Sequence, residues 1–124
     1  MLKNLGVGAK KAERVLMTAS SETKNKALEA IAKALTENTS YITENNAVDI
    51  ENARAKGMSE SMIDRLSLNA DRIKSISEAV LQVASLDDPC GKVVSGTKRP
   101  NGLLIEKVTV PLGVIAVIFE ARPN

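Results

Sequence analysis

Histidine and tryptophan are absent from the 124 residues, cysteine occurs once, and the aromatic residues reduce to Tyr41 and Phe119. Each scarcity excludes something. A lone Cys90 cannot close a disulfide within the chain, and without histidine no Cys/His cluster can hold a metal, so no metal site is expected. A reducing, cytoplasmic setting fits that cysteine usage. A surface that stacks nucleic-acid bases wants exposed rings, and two aromatics do not build one. Charge of a single sign is missing as well. Seventeen basic and fifteen acidic residues are interleaved to a net +2, which describes a solvated mixed surface and not a polyanion-binding face. The longest strongly apolar stretch, Val110 to Phe119, is about half of what a membrane helix requires. The N-terminal Lys3, Lys10, Lys11 and Arg14 surround an amphipathic pattern with no continuous apolar core, unlike a signal peptide. Neither a nucleic-acid nor a membrane partner is expected.

What is present is helical periodicity. Leu2, Leu5, Ala9, Ala12, Leu16 and Ala19 recur every three or four residues and form one stripe of a first helix. Ser20 or Ser21 can cap a second, with Ala27, Leu28, Ile31, Ala34 and Leu35 as its buried face. Thr39 or Ser40 can cap a third carrying Tyr41, Ile42 and Val48, with Gly57 as its left-handed stop. Ser59 opens a short helix with Met62, Ile63 and Leu66. Asn69 caps a last one with Ile73, Ile76, Val80, Val83 and Leu86. No internal repeat accompanies this set.

The character changes at Asp87-Asp88-Pro89-Cys90-Gly91, a turn by composition. Two extended runs follow, 92–98 and 103–110, separated by Arg99-Pro100-Asn101-Gly102. Asn-Gly between such runs signals a hairpin. An isolated two-stranded ribbon is marginal in water, so this one must lean on its own subunit or on another copy. Beyond it, Pro111 and Gly113 lead into Val114–Phe119, whose β-branched composition predicts a strand buried on both faces, as in a parallel sheet. Such a strand needs neighbours and a crossover.

Few residues offer chemistry. Cys90 has no histidine to act as its base, and Asp87 and Asp88 are adjacent in a turn, as solvated corners often are. Neither G-x-G-x-x-G nor a P-loop occurs. The polar tail after the apolar run is different, because ligands of open α/β sheets bind just beyond the carboxyl ends of strands. There Arg122 suits a phosphate or carboxylate, and the Asn124 amide can donate to an anionic oxygen. The bland alternative is a polar loop with a capping Asn.

Four stretches add a resemblance: TKNKALEAIAKAL (23–35), ENNAVDIENARAKGMSESMIDRLSL (44–68), DDPCGKV (87–93) and RPNGLLIEKVTVPLGVIAVIFEARPN (99–124). Together they resemble the N-terminal portion of the γ-glutamyl phosphate reductase (glutamate-5-semialdehyde dehydrogenase) family, in the aldehyde dehydrogenase superfamily. The resemblance implies an α/β parent fold with a Rossmann-like cofactor domain. It also implies an NADPH-dependent oxidoreductase of proline biosynthesis that turns γ-glutamyl phosphate into glutamate 5-semialdehyde and phosphate through a cysteine thioester. On that basis residues 1–86 would be a helical layer of the cofactor domain and 87–110 a β-hairpin arm, with 92–110 joining copies into a homo-oligomer. Residues 111–124 would be the first strand and active-site loop. Asn124 would stabilise the oxyanion, and Glu120, Ala121, Arg122 and Pro123 would lie along the nicotinamide side of NADPH/NADP. Cys90 falls in a turn where relatives need no cysteine, so the nucleophile is expected beyond Asn124 and the chain is expected to be a fragment. The competing reading, from a different class, is a helical interaction module with a β-arm.

Overall fold

The computed structural model describes residues 2–118. Five helices precede a hairpin: α1 (Leu2–Leu16), α2 (Ser21–Glu37), α3 (Thr39–Ala55), α4 (Glu60–Leu66), α5 (Ala70–Ala84), then β1 (Val93–Lys98) and β2 (Leu104–Val108). The chain divides into two compact units, one of residues 1–21 with 86–116, the other built on residues 22–85.

In the helical unit the expected elements form, but the buried faces are not all the expected ones. Along α2 the side chains turned inward are Leu28, Ala32 and Leu35, while Ala27, Ile31 and Ala34 are exposed. The stripe is rotated by roughly a quarter-turn from the sequence reading. The cause is local: α2 is apolar around more than half its circumference, so spacing alone cannot select the face that packs. On α3, Ile42 is half-buried as expected, whereas Tyr41 (68%) and Val48 (56%) stand out in solvent. Its inward positions are instead Asn46, Ile50 and Ala53. Toward the end of α5 the periodicity continues but the partner does not: Ile73 in its first turn is 1% exposed, yet Val83 lies open, as does Leu86, which falls beyond the end of the helix. The core is correspondingly small, formed by Ala32, Ala53, Ile63 and Ile73.

Helix termini follow their capping chemistry unevenly. Asn69 caps α5 as expected, its Oδ1 accepting from Arg72 N at 2.8 Å. Ser59 takes the N-cap position of α4 in extended conformation, and its carbonyl accepts from Met62 and Ile63 N. The expected Thr39 or Ser40 cap is corrected. Asn38 occupies the N-cap of α3 without a side-chain capping bond, its Nδ2 donating back to Ala34 O at 2.8 Å, and Thr39 is already helical, its hydroxyl donating back to Thr36 O at 2.8 Å. Only Asn38 separates α2 from α3. It donates to Ala34 O and accepts from Ile42 N, so helical bonding runs nearly unbroken through the bend and leaves little for a cap to satisfy.

Gly57 ends α3 at φ +76°, with Met58 N donating to Ala53 O and Gly57 N to Arg54 O, the paired bonds of a Schellman motif. A Cβ at Gly57 meets nothing within 4 Å, so the cost of adding one is purely conformational. Gly57→Ala is expected to lower stability by about 1–2 kcal/mol in urea unfolding of the helical signal, and Gly57→Asn by less. Equal stability of Gly57→Ala and the parent would show that the turn does not hold its left-handed geometry in solution.

In the other unit α1 forms, but the leucines of its stripe, Leu2, Leu5 and Leu16, are exposed and no residue of the helix is buried. The hairpin forms as expected. Its strands are antiparallel, with Val93 opposite Val108 and Lys98 opposite Leu104, and Val94 is the extra residue of a bulge. The turn is more specific than Asn-Gly alone suggests. Gly102 has φ +87°, while among the described residues no non-glycine residue, Asn101 included, has positive φ, so the type I′ geometry favoured by Asn-Gly is not used. Gly102 N donates to Arg99 O and Arg99 N to Leu103 O. This is a turn with Pro100 leading and a left-handed glycine closing it.

The strand expected over Val114–Phe119 is a second correction. Residues 114–118 adopt no regular structure and are exposed, Ile118 at 99%; Phe119 lies outside the described residues. A strand is a property of a hydrogen-bonded pair, and among the described residues nothing pairs with this run.

Candidate functional site

The residues singled out by sequence, Glu120, Ala121, Arg122, Pro123 and Asn124, all lie outside the described residues. What the structure does describe is chain that precedes them, the turn before β1 and the residues just after β2.

Asp88 organises the turn. Its Oδ1 accepts from Cys90 N at 2.9 Å, a local Asx turn, and its Oδ2 accepts from Ser21 Oγ at 2.9 Å. Asp87 pairs with Lys92 at 3.1 Å, and Gly91 adopts φ +78°. Cys90 is half-buried within this corner, and the cation nearest it in sequence, Lys92, is occupied by Asp87. No described contact gives the thiol a base, so the sequence reading of Cys90 as an incidental loop thiol stands on the same ground as before.

Thr109 closes the base of the hairpin beyond the last ladder pair. Its N–H donates to Lys92 O at 3.0 Å, and its carbonyl accepts from Gly91 N at 2.9 Å. Its hydroxyl accepts from Lys92 N at 2.9 Å and donates to Pro89 O at 2.5 Å. Sequence reasoning passed over Thr109 because threonine is an ordinary strand residue; nothing in spacing marks one whose hydroxyl both donates and accepts. Four residues further on, Gly113 has φ +91°, and a Cβ there would approach Glu13 Oε1 to 3.2 Å. Glu13 is held by Lys10 at 2.6 Å. Gly113 therefore has two reasons to lack a side chain, backbone conformation and the carboxylate of α1.

A shallow groove of about 330 Å3 lies between α2 and α5, over Ala32, Thr36, Ser77 and Leu81. Its hydroxyls are already committed: Ser77 Oγ donates to Ala32 O at 2.9 Å, and Thr36 Oγ1 lies 3.1 Å from the same carbonyl and 3.3 Å from Ser77 Oγ. These bonds join the two helices and commit both hydroxyls. Among the described residues no helix is long and apolar enough to cross a membrane.

No protein-family profile matches the chain. Individual proteins do. The chain is 53% identical over 116 residues to a gamma-glutamyl phosphate reductase of Clostridium novyi, which covers 94% of the chain and 28% of that protein. It is 50% identical over 119 residues to the gamma-glutamyl phosphate reductase of Bacillus anthracis, covering 96% and 29% respectively. The chain thus spans just over a quarter of the length of these relatives. Among solved structures, the gamma-glutamyl phosphate reductase of Thermotoga maritima superposes on 83% of the chain with a TM-score of 0.81 at 42% identity, using 25% of its own length. The Saccharomyces cerevisiae enzyme of the same name superposes on 83% with a TM-score of 0.77 at 34% identity, using 26% of its length. The mainly helical arrangement with a two-stranded antiparallel sheet is therefore one that these reductases share.

Proposed function

The chain is a homologue of the gamma-glutamyl phosphate reductases, alike in sequence over 94–96% of its own length, and on that premise we propose that it serves as part of such a reductase. The reaction is reduction of γ-glutamyl phosphate to glutamate 5-semialdehyde with release of phosphate, a cytoplasmic step of proline biosynthesis. The parent fold in this reading is aldehyde dehydrogenase-like, with a Rossmann-like cofactor domain. Residues 1–86 would form its helical layer, 87–110 its arm, and 111–124 its active-site loop together with a first strand that 114–118 can form only where the parent supplies strands to pair with. The ribbon 92–110 pairs with a second copy of the protein.

NADPH supplies the hydride. The residues this chain would set along its nicotinamide side are Glu120, Ala121, Arg122 and Pro123, of which Arg122 offers a fixed positive charge to phosphate or carboxylate oxygens. The attacking thiolate belongs to chain outside these 124 residues. In this reading Asn124 would present an amide N–H to the acyl oxygen, where negative charge grows as the thiolate adds and is discharged as the carbonyl re-forms and phosphate departs. The identity across nearly the whole chain is the observation that carries this reading. It disfavours the alternative, a free-standing helical interaction module, because the relatives that match are reductases.

The test is a chimera in which this chain replaces the matched segment of the Clostridium novyi reductase. Phosphate- and NADP-dependent oxidation of glutamate semialdehyde, the reverse reaction, avoids the labile acyl phosphate. Measurable turnover is expected; a folded chimera without turnover would sink the proposal. Residues 1–124 alone are expected to show none, since their single cysteine has no histidine to activate it. Turnover of the isolated chain that disappears in Cys90→Ser would instead promote Cys90 to nucleophile.

A further inference from the structure

We propose that Thr109 is a latch that fixes the direction in which the ribbon leaves the turn at residues 87–91, and that assembly with a second copy depends on this latch. The inference rests on the reading of 92–110 as the assembling arm.

The ribbon has nothing of its own to orient it. Every residue of β1 and β2 is exposed, and Val93, Val94, Leu103, Leu104, Ile105 and Val108 show apolar surface to water. Its ladder reaches only to the Val93–Val108 pair. A two-stranded ribbon hinged at one point sweeps a wide range of directions, and each must be given up when it docks. Thr109 sits at that hinge and is half-buried where the strands are not. Two backbone bonds tie it to Gly91 and Lys92, and its hydroxyl spans Lys92 N and Pro89 O. Of the bonds from Thr109 to the turn, the Gly91 bond is backbone to backbone, and the hydroxyl bond to Pro89 is the one that reaches past Cys90 to the residue beside Asp88. That turn is itself fastened, by Asp88 to Cys90 N and to Ser21 at the start of α2. The ribbon's exit is thus bolted to a corner that is itself tied to Ser21 within the same unit. Pre-ordering of this kind raises affinity by removing the entropy lost on docking.

Thr109→Val isolates the hydroxyl. Valine keeps the volume, the β-branching and both backbone bonds, but neither accepts from Lys92 N nor donates to Pro89 O. The position is near the surface, so water replaces those partners and the fold survives. The experiment is sedimentation of the chimera, compared with a control in which residues 95–106 are replaced by a short glycine turn. The control should move to smaller mass. Thr109→Val should weaken assembly by about tenfold or more in dissociation constant, with helical content unchanged, and Thr109→Ser should assemble as the parent does. Asp88→Ala, which loosens the corner without touching the ribbon, should shift in the same direction and serves if Thr109→Val is poorly folded. Smaller mass on arm deletion with parental assembly of Thr109→Val and Asp88→Ala overturns the latch alone. Unchanged mass on arm deletion overturns the arm reading and the latch with it.

Discussion

Asn124→Ala should lower kcat of the chimera by about 10²–10³, equivalent to about 3–4 kcal/mol of transition-state stabilisation. The effect is large because it is differential. An amide N–H held at the acyl oxygen gains little from a neutral carbonyl and much from the oxyanion that forms when a thiolate adds. Substrate and cofactor affinity should change far less than kcat, since the donor is wanted in the transition state and not in the bound ground state. Asn124→Asp should be at least as damaging, because it sets a negative charge beside the developing one. Thermal stability should be nearly unchanged in both, as a loop-end amide contributes little to a core. A kcat for Asn124→Ala within about threefold of the parent would return the residue to the role of a loop cap.

Legibility in the sequence was uneven for physical reasons. Turn and end signals were read well wherever one residue type has a unique backbone need: Gly57 at φ +76° stops α3, and Asn69 caps α5 with its side chain. Faces were read poorly where composition was degenerate. On α2, Ala27, Leu28, Ile31, Ala32, Ala34 and Leu35 offer two adjacent apolar stripes, and only tertiary packing chooses Leu28, Ala32 and Leu35. The strand expected over 114–119 depended on partners that periodicity within one segment cannot supply. As for the site, Glu120–Asn124 could be named from the polar tail and the family resemblance, but they lie outside the described residues. The residues that fix the turn and the base of the hairpin, Thr109 and Asp88, and the Glu13–Gly113 contact were invisible because their roles lie in single hydrogen bonds and one close approach. None of these leaves a periodic trace.

The same blindness hid Asn46, and the helical unit depends on it. Asn46 occupies an inward position of α3, 6% exposed, where the stripe of a helix ordinarily carries an apolar side chain. It faces the connection between α4 and α5. Its Nδ2 donates to Leu66 O at 3.0 Å, and its Oδ1 accepts from Leu68 N at 2.7 Å. One amide thus supplies the two backbone bonds that this bend cannot make with itself, and among the described residues no buried side-chain polar atom is left unpaired. Arg72 supports the same bend from α5, donating to Asp64 O and Ser67 O and pairing with the Asp64 carboxylate at 2.8 Å. Two of those three contacts are exposed and water can replace them; the Asn46 bonds are part-buried and made by a side chain only 6% exposed. Asn46→Ala should therefore destabilise the helical unit by about 2–4 kcal/mol, since each orphaned backbone group costs about 1–3 kcal/mol. Asn46→Leu restores volume and apolar contact but neither bond, so it should recover only a minor part of the loss. Asn46→Asp keeps the acceptor for Leu68 N–H but turns a carboxylate oxygen toward Leu66 O, and should be no better than alanine at neutral pH. Urea unfolding followed by the helical signal reads all three variants against the parent. If Asn46→Leu matched or exceeded the parent, burial alone would hold α3 against the α4–α5 connection, and the bend would not need the amide.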